Sequence, residues 1–170
     1  EEIAAHIKGP IHVEVRGQDV DSIVKHGLDI YQRSSCVVVQ TPMTPDGLLA
    51  CKKLHAQGVP VNITLCFSVA QVILAQKAQS RYVTTCITCL QKYQTDYEST
   101  IFHMSTYCRG TDTTFIVAGV RTIADVEFLA QMNVPCVALP PHILREMFWH
   151  NLTDQNLELF FEDKTQKQAG

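Results

Sequence analysis

The sequence predicts an α/β protein whose parallel strands curl into a (β/α) barrel of about six units. Three observations carry that expectation. Short β-branched runs alternate with longer amphipathic stretches about six times along the 170 residues. The connections between them are short, and repeated strand–helix–strand units joined this way mean parallel strands covered by helices. Alternate strand positions are polar, so each strand has one apolar and one mixed face, the arrangement of a barrel interior whose inward side chains converge at the carboxyl-end mouth. A complete barrel has eight units in about 250 residues. With six, this one is expected to be incomplete, two units at the amino end being absent or another chain supplying what is needed.

The elements follow in order. After an acidic helical stretch, EEIAAHIKGP, the first strand is IHVEV (11–15), with a helix over 18–33. The second strand is CVVVQT (36–41). Thr44 before Pro45 is an N-cap with proline at the first helical position, opening a helix over 45–57, and Gly58 stands where that helix should end. VNITLCF (61–67) is the third strand; Ser68 with Gln71 has capping-box spacing and starts a helix over 69–79. YVTTCIT (82–88) is the fourth, followed by a helix over 94–108 with Gly110 past its end. FIVAG (115–119) is the fifth, and Thr122 with Asp125 caps a helix over 123–132. CVAL (136–139) is the sixth, then come helices over 141–149 and 154–164. No linker divides the chain, so residues 1–170 read as one domain.

The two-residue strand period sorts the side chains. His12 and Glu14 share the inward face, as do Val38 and Gln40, Asn62 and Thr64, and Thr84, Cys86 and Thr88. Val13, Val37, Val39, Ile63, Leu65, Val83 and Ile87 face the helices.

Composition excludes several classes. A net charge of −3 with mixed signs gives no basic stripe for nucleic acid. No apolar run reaches the length of a membrane span, and the amino terminus lacks a signal-peptide layout, so a cytoplasmic setting is expected. Seven cysteines, an odd number scattered through apolar segments, read as small buried hydrophobes in a reducing compartment. One C-x-x-C, CITC at 86–89, falls short of the four ligands a zinc site needs, and on a strand its two thiols would point to opposite faces. No metal or cofactor is expected.

The segment VVVQTPMTPDGLLACKKLHAQGVPVNITLCFSVAQVILAQKA closely resembles the core of the transaldolase and fructose-6-phosphate aldolase family. The family's pattern there is a strand ending in lysine, then P-M/V-T-x-E-G-L, a helix, and N-V-T-L-x-F-S-x-x-Q. IHVEV upstream is similar to the family's S-A-E-V strand, and FIVAGVRT to its A-A-S-I-R-N-P segment. ALPPHILREMFWHNLTDQNLELFFED resembles its I-P-P-H-I-L, P-L-T-D and G-L-E-x-F-L-x-D ending. The likeness covers nearly the whole chain.

That resemblance implies a (β/α)8 aldolase that moves or releases a dihydroxyacetone unit from ketose phosphates. A strand lysine forms a Schiff base with the substrate carbonyl, and cleavage leaves an enamine. In this sequence Gln40 occupies the lysine position. A carboxamide nitrogen is conjugated with its carbonyl and cannot attack a ketone, and no other lysine falls at an inward strand end. Cys89 stands where the resemblance places a phosphate-binding arginine, Cys86 replaces an aromatic residue, and Gly119 replaces a phosphate-contacting serine. Arg121 and Asn62 match family positions and are carried over as substrate contacts. Glu14 and Thr64 match the acid and hydroxyl that in transaldolases hold a water for proton transfer. The aspartate and asparagine motifs of the family's first two strands have no counterpart.

The residues also have plainer readings. Glu14 reads equally as an acid buried in the barrel and satisfied by Thr64, Asn62 or Gln40, Gln40 as a structural hydrogen-bonding amide, His12 as a packed core or rim histidine, and His142 as the cap of a helix start. Three functions remain open. One is a transaldolase-like protein without Schiff-base activity, associating with copies of itself or an intact paralogue. Another is a working transaldolase or aldolase seen as a fragment or a lysine-to-glutamine form. The third is a binding module that holds sugar phosphate on the Gly119 loop amides. Phe160 and Phe161 lie in a final helix that in small aldolase relatives reaches onto a neighbouring subunit, which makes a homo-oligomer an expectation.

Overall fold

A computed structural model describes residues 2–17 and 19–168. Six strands form one sheet in the order of the chain: β1 (Ile11–Glu14), β2 (Val37–Pro42), β3 (Val61–Thr64), β4 (Tyr82–Cys86), β5 (Thr114–Ala118) and β6 (Cys136–Val137). Every neighbouring pair is parallel. The sheet curls into an open half-barrel, with β1 and β6 at its edges among the described residues.

The helices are α1 (Glu2–His6), α2 (Val20–Tyr31), α3 (Pro45–His55), α4 (Val69–Lys77), α5 (Ile87–Tyr93), α6 (Tyr97–Cys108), α7 (Ile123–Gln131), α8 (Pro141–Glu146) and α9 (Asn151–Gln168). Their starts are set by local chemistry. Asp19 and Ser22 form a reciprocal capping box on α2, as do Thr122 and Asp125 on α7. The Thr44 hydroxyl accepts the Gly47 amide at 3.0 Å, with Pro45 at the first helical position of α3. On α4 the box is split: Ser68 accepts the Gln71 amide, whereas the Gln71 side chain takes the amide of Phe67 at 2.7 Å. Gly58 and Gly110 both have positive φ at helix ends.

The register keeps even-numbered strand residues in phase around the inner face and odd-numbered ones on the outer face. Val39, Val61, Ile63, Val83, Phe115 and Val117 are therefore buried under the helices with Leu54, Val72, Ile101, Met104 and Leu129. Each such side chain removed from water contributes about 1.5–3 kcal/mol, so the outer layer holds the sheet. Gly47 fixes the approach of α3 to β2, since a Cβ there would meet the Pro42 carbonyl oxygen. This is the physical content of the P-M-T-P-D-G run.

The structure corrects the sequence reading at several points. The third strand stops at Thr64, and Leu65, expected to face the helices, has positive φ and is exposed instead. The fourth strand stops at Cys86, and residues 87–93 form α5 because Ile87 and Leu90, one turn apart, are both buried. The helix expected over 94–108 starts at 97, Gln94 being extended. Pro140, without any side-chain cap bond, stands at the start of α8, so His142 does not cap it. No described helix is long and apolar enough to cross a membrane.

Candidate functional site

The inner face meets the carboxyl ends of the strands at an open mouth. In register, Gln40 lies between Glu14 of β1 and Asn62 of β3, so three of the expected site residues adjoin. Glu14 is exposed, and its carboxylate makes no hydrogen bond among the described residues. The reading of Glu14 as a buried acid satisfied by Thr64, Asn62 or Gln40 is thus corrected: an edge strand leaves it in water. The half-buried Gln40 carboxamide likewise has no hydrogen-bond partner among the described residues, against the expected structural role. Thr64 donates its hydroxyl to the Thr41 carbonyl at 3.4 Å.

Below this row lies a closed polar network. Asn62 is fully buried; its Oδ1 accepts the Thr84 hydroxyl at 2.9 Å, which turns its amide nitrogen toward His12 Nδ1 at 3.1 Å. The His12 ring meets Tyr82 edge-on with centroids 4.7 Å apart. Burial lowers the His12 pKa below 6.5, consistent with a neutral ring that accepts on Nδ1. Asn62 thus spends both ends of its amide inside the protein. The packed reading of His12 fits this geometry, and the role of Tyr82 was not foreseen.

Across the mouth, Cys86, Thr88, Cys89 and Gly119 come together. Cys86 Sγ lies 3.2 Å from Thr88 Oγ1, and a Cβ on Gly119 would stand 2.8 Å from that sulfur. Gly119 has φ of +80°, so a serine there would be strained as well as crowded. Arg121 and Lys92 act electrostatically on Cys89.

The amides that would cradle an anion at the start of α7 are taken. Asp125 Oδ2 accepts the amides of Arg121 and Thr122, each at 3.0 Å, and its Oδ1 accepts Gln91 Nε2 at 3.2 Å. Burial raises the Asp125 pKa, but these bonds outweigh it and leave the group below its ordinary 3.8. An incoming phosphate would meet a carboxylate. The Thr122–Asp125 spacing in the sequence already held this signal, read there only as a helix cap.

Backbone strain also sits at the mouth. Leu65, just after β3, has φ of +61° and a largely exposed side chain, a conformation costing about 1–2 kcal/mol for a non-glycine residue. A cavity of about 510 Å³ lies at the opposite, amino end among Lys8, His55, Arg81 and Asp112. In (β/α) barrels that end serves stability rather than chemistry.

All seven cysteines are free. Burial pushes Cys51 and Cys66 up to about 12 and Cys108 to about 11, which makes them inert hydrophobes as expected. Cys36, Cys86 and Cys89 are half-buried and Cys136 is exposed, so burial does not extend to all seven. Among the described residues no three metal-ligating side chains converge.

Fold and site together define a parallel (β/α) barrel protein with its polar side chains gathered at the strand carboxyl ends, the class to which Schiff-base aldolases belong. The sequence profile of the Transaldolase/Fructose-6-phosphate aldolase family matches residues 1–169, and the chain belongs to that family. It is 39% identical to a probable transaldolase of Nitrosopumilus maritimus over 166 residues, covering 96% of this chain and 75% of that one. A probable transaldolase of Kosmotoga olearia is 34% identical over 173 residues, covering 99% and 78%. Among solved structures, a mandelate oxidase superposes with a TM-score of 0.56 at 14% identity over 81% of this chain and 51% of that one. The PaMucR phosphodiesterase in complex with c-di-GMP gives 0.57 at 17% identity over 79% and 60%. The chain thus spans little more than half the length of these structures, and the likeness is one of fold.

Proposed function

We propose that this chain is a transaldolase-family protein of sugar-phosphate metabolism that forms no Schiff base as it stands. Gln40 carries this reading. It sits on the inner face of β2 between Glu14 and Asn62, at the position the family resemblance gives to lysine. Imine formation needs a nitrogen lone pair free to attack the ketone, and a carboxamide has none to give. The lost phosphate contacts support the same reading: Cys89 is an uncharged thiol, Gly119 has no side chain, and Asp125 holds the neighbouring amides.

Its role is association with a second copy of the chain or with an intact paralogue. The support is a run of exposed apolar side chains through α8 and into α9, among them Phe148 at 78% and Trp149 at 74% exposure, with Leu144, Met147 and Leu152.

The test is Gln40→Lys, with borohydride trapping of dihydroxyacetone and of fructose 6-phosphate on the purified protein. The variant is expected to trap dihydroxyacetone far better than fructose 6-phosphate, because an amine returns while the phosphate grip does not. Equal, efficient trapping of both would mean that the phosphate site is intact and the reading wrong. Solution mass decides the self-association: a monodisperse monomer contradicts it.

A further inference from the structure

The sequence Cys86-Ile87-Thr88-Cys89 crosses from strand to helix. Cys86 ends β4 and Cys89 lies in the first turn of α5, so residues three apart return to one side of the chain instead of alternating as on a strand. The two thiols lie close enough for each to shift the other's ionisation, and Cys86 Sγ is 3.2 Å from the Thr88 hydroxyl between them. Both are only part-buried, and a cavity of about 220 Å³ lined by Phe67, Leu90, Tyr93 and Gln94 opens beside Cys89. One turn of separation also suits the Cα spacing a disulfide requires, about 4.4–6.8 Å. Two ligands are too few for a zinc site, which takes about four, and among the described residues no third joins them.

We propose that Cys86 and Cys89 form a reversible dithiol, a redox modification site at the mouth whose reaction partner is a low-molecular-weight disulfide. The Cys86 thiolate attacks one sulfur of the small disulfide, forms a mixed disulfide and releases one thiolate, which takes up a proton. Cys89 then loses its proton and attacks Cys86 Sγ, the bond to the small molecule breaks, and the second thiol leaves. Two protein thiols become one disulfide while one small disulfide becomes two thiols. The order of attack follows from the surroundings. Burial opposes ionisation of Cys86, but hydrogen bonds from Thr88 and Cys89 outweigh it and hold the group below its ordinary range. Cys89 is raised, chiefly through the neighbouring Cys86, and acts second. The site is independent of any chemistry at Gln40.

Arg81 and Lys92 bracket the pair, so trypsin releases residues 82–92 with these two cysteines and no other. The native protein is incubated with excess oxidised glutathione, quenched with iodoacetamide and digested. The expected peptide is lighter than the reduced form by about 2 Da and carries no alkyl group. Cys89→Ser is expected to accumulate a glutathione adduct on Cys86, the second step being blocked. A peptide 82–92 carrying two alkyl groups after oxidation overturns the proposal, as does a Cys89→Ser protein that takes up no glutathione at Cys86.

Discussion

Replacing Asn62 by alanine removes the centre of the inner polar network. Two hydrogen bonds are lost, to Thr84 at 2.9 Å and to His12 at 3.1 Å, and both partners are left half-buried. At about 1 kcal/mol for each bond, with part of the desolvation penalty of the stranded groups, the loss is about 2–3 kcal/mol. Urea unfolding reads this as a fall in midpoint of about 1–1.5 M if the slope is about 2 kcal/mol/M. The same change should move the His12 titration, followed by ring-proton NMR, up toward 6.5, because the variant admits water and no longer donates to Nδ1. The sign for stability follows. With a folded pKa below 6.5, the unfolded chain binds more protons, so stability falls as the pH drops below about 6.5. The variant should lose part of that dependence. A loss under about 0.5 kcal/mol, or an unmoved His12, would refute the network as a structural unit.

Three other outcomes are expected. Gly47→Ala should cost more than about 2 kcal/mol in thermal or urea unfolding, since the new Cβ collides with the rigid Pro42 carbonyl. Thr85→Val should stabilise by about 1 kcal/mol, because the Thr85 hydroxyl is buried on the helix side without a hydrogen-bond partner. Asp125→Asn should weaken the start of α7 by about 1 kcal/mol at neutral pH and remove a contribution that the parent, with its depressed pKa, keeps above about 3.8 and loses as pH falls through its folded value; acid titration of stability reads both.

The strand order and the inward phase were legible in the sequence because β-branched runs with a two-residue period leave little choice once helices cover one side. His12, Glu14, Gln40, Asn62, Thr64 and Cys86 all face inward as the alternation requires. Thr88 does not belong to that set. Ile87 and Thr88 are β-branched and extend the strand pattern by inertia, while the burial of Ile87 and Leu90 that makes the segment helical is a tertiary fact. The misplaced boundary carried the misreading of the cysteine pair with it. Contacts of single side chains were less legible still. A sheet with an edge at β1 exposes Glu14, where a closed barrel would have buried it. The reach of Asp125 to the Arg121 amide follows from its helix cap but is visible only once α7 is in place.

Peptide mass mapping of the unaltered chain, reduced with borohydride in the presence of dihydroxyacetone, bears most directly on Gln40. The expected result is a digest in which no residue of β1–β6 carries a reduced imine. A stoichiometric adduct on any inward-facing strand residue would contradict the absence of Schiff-base chemistry in this protein.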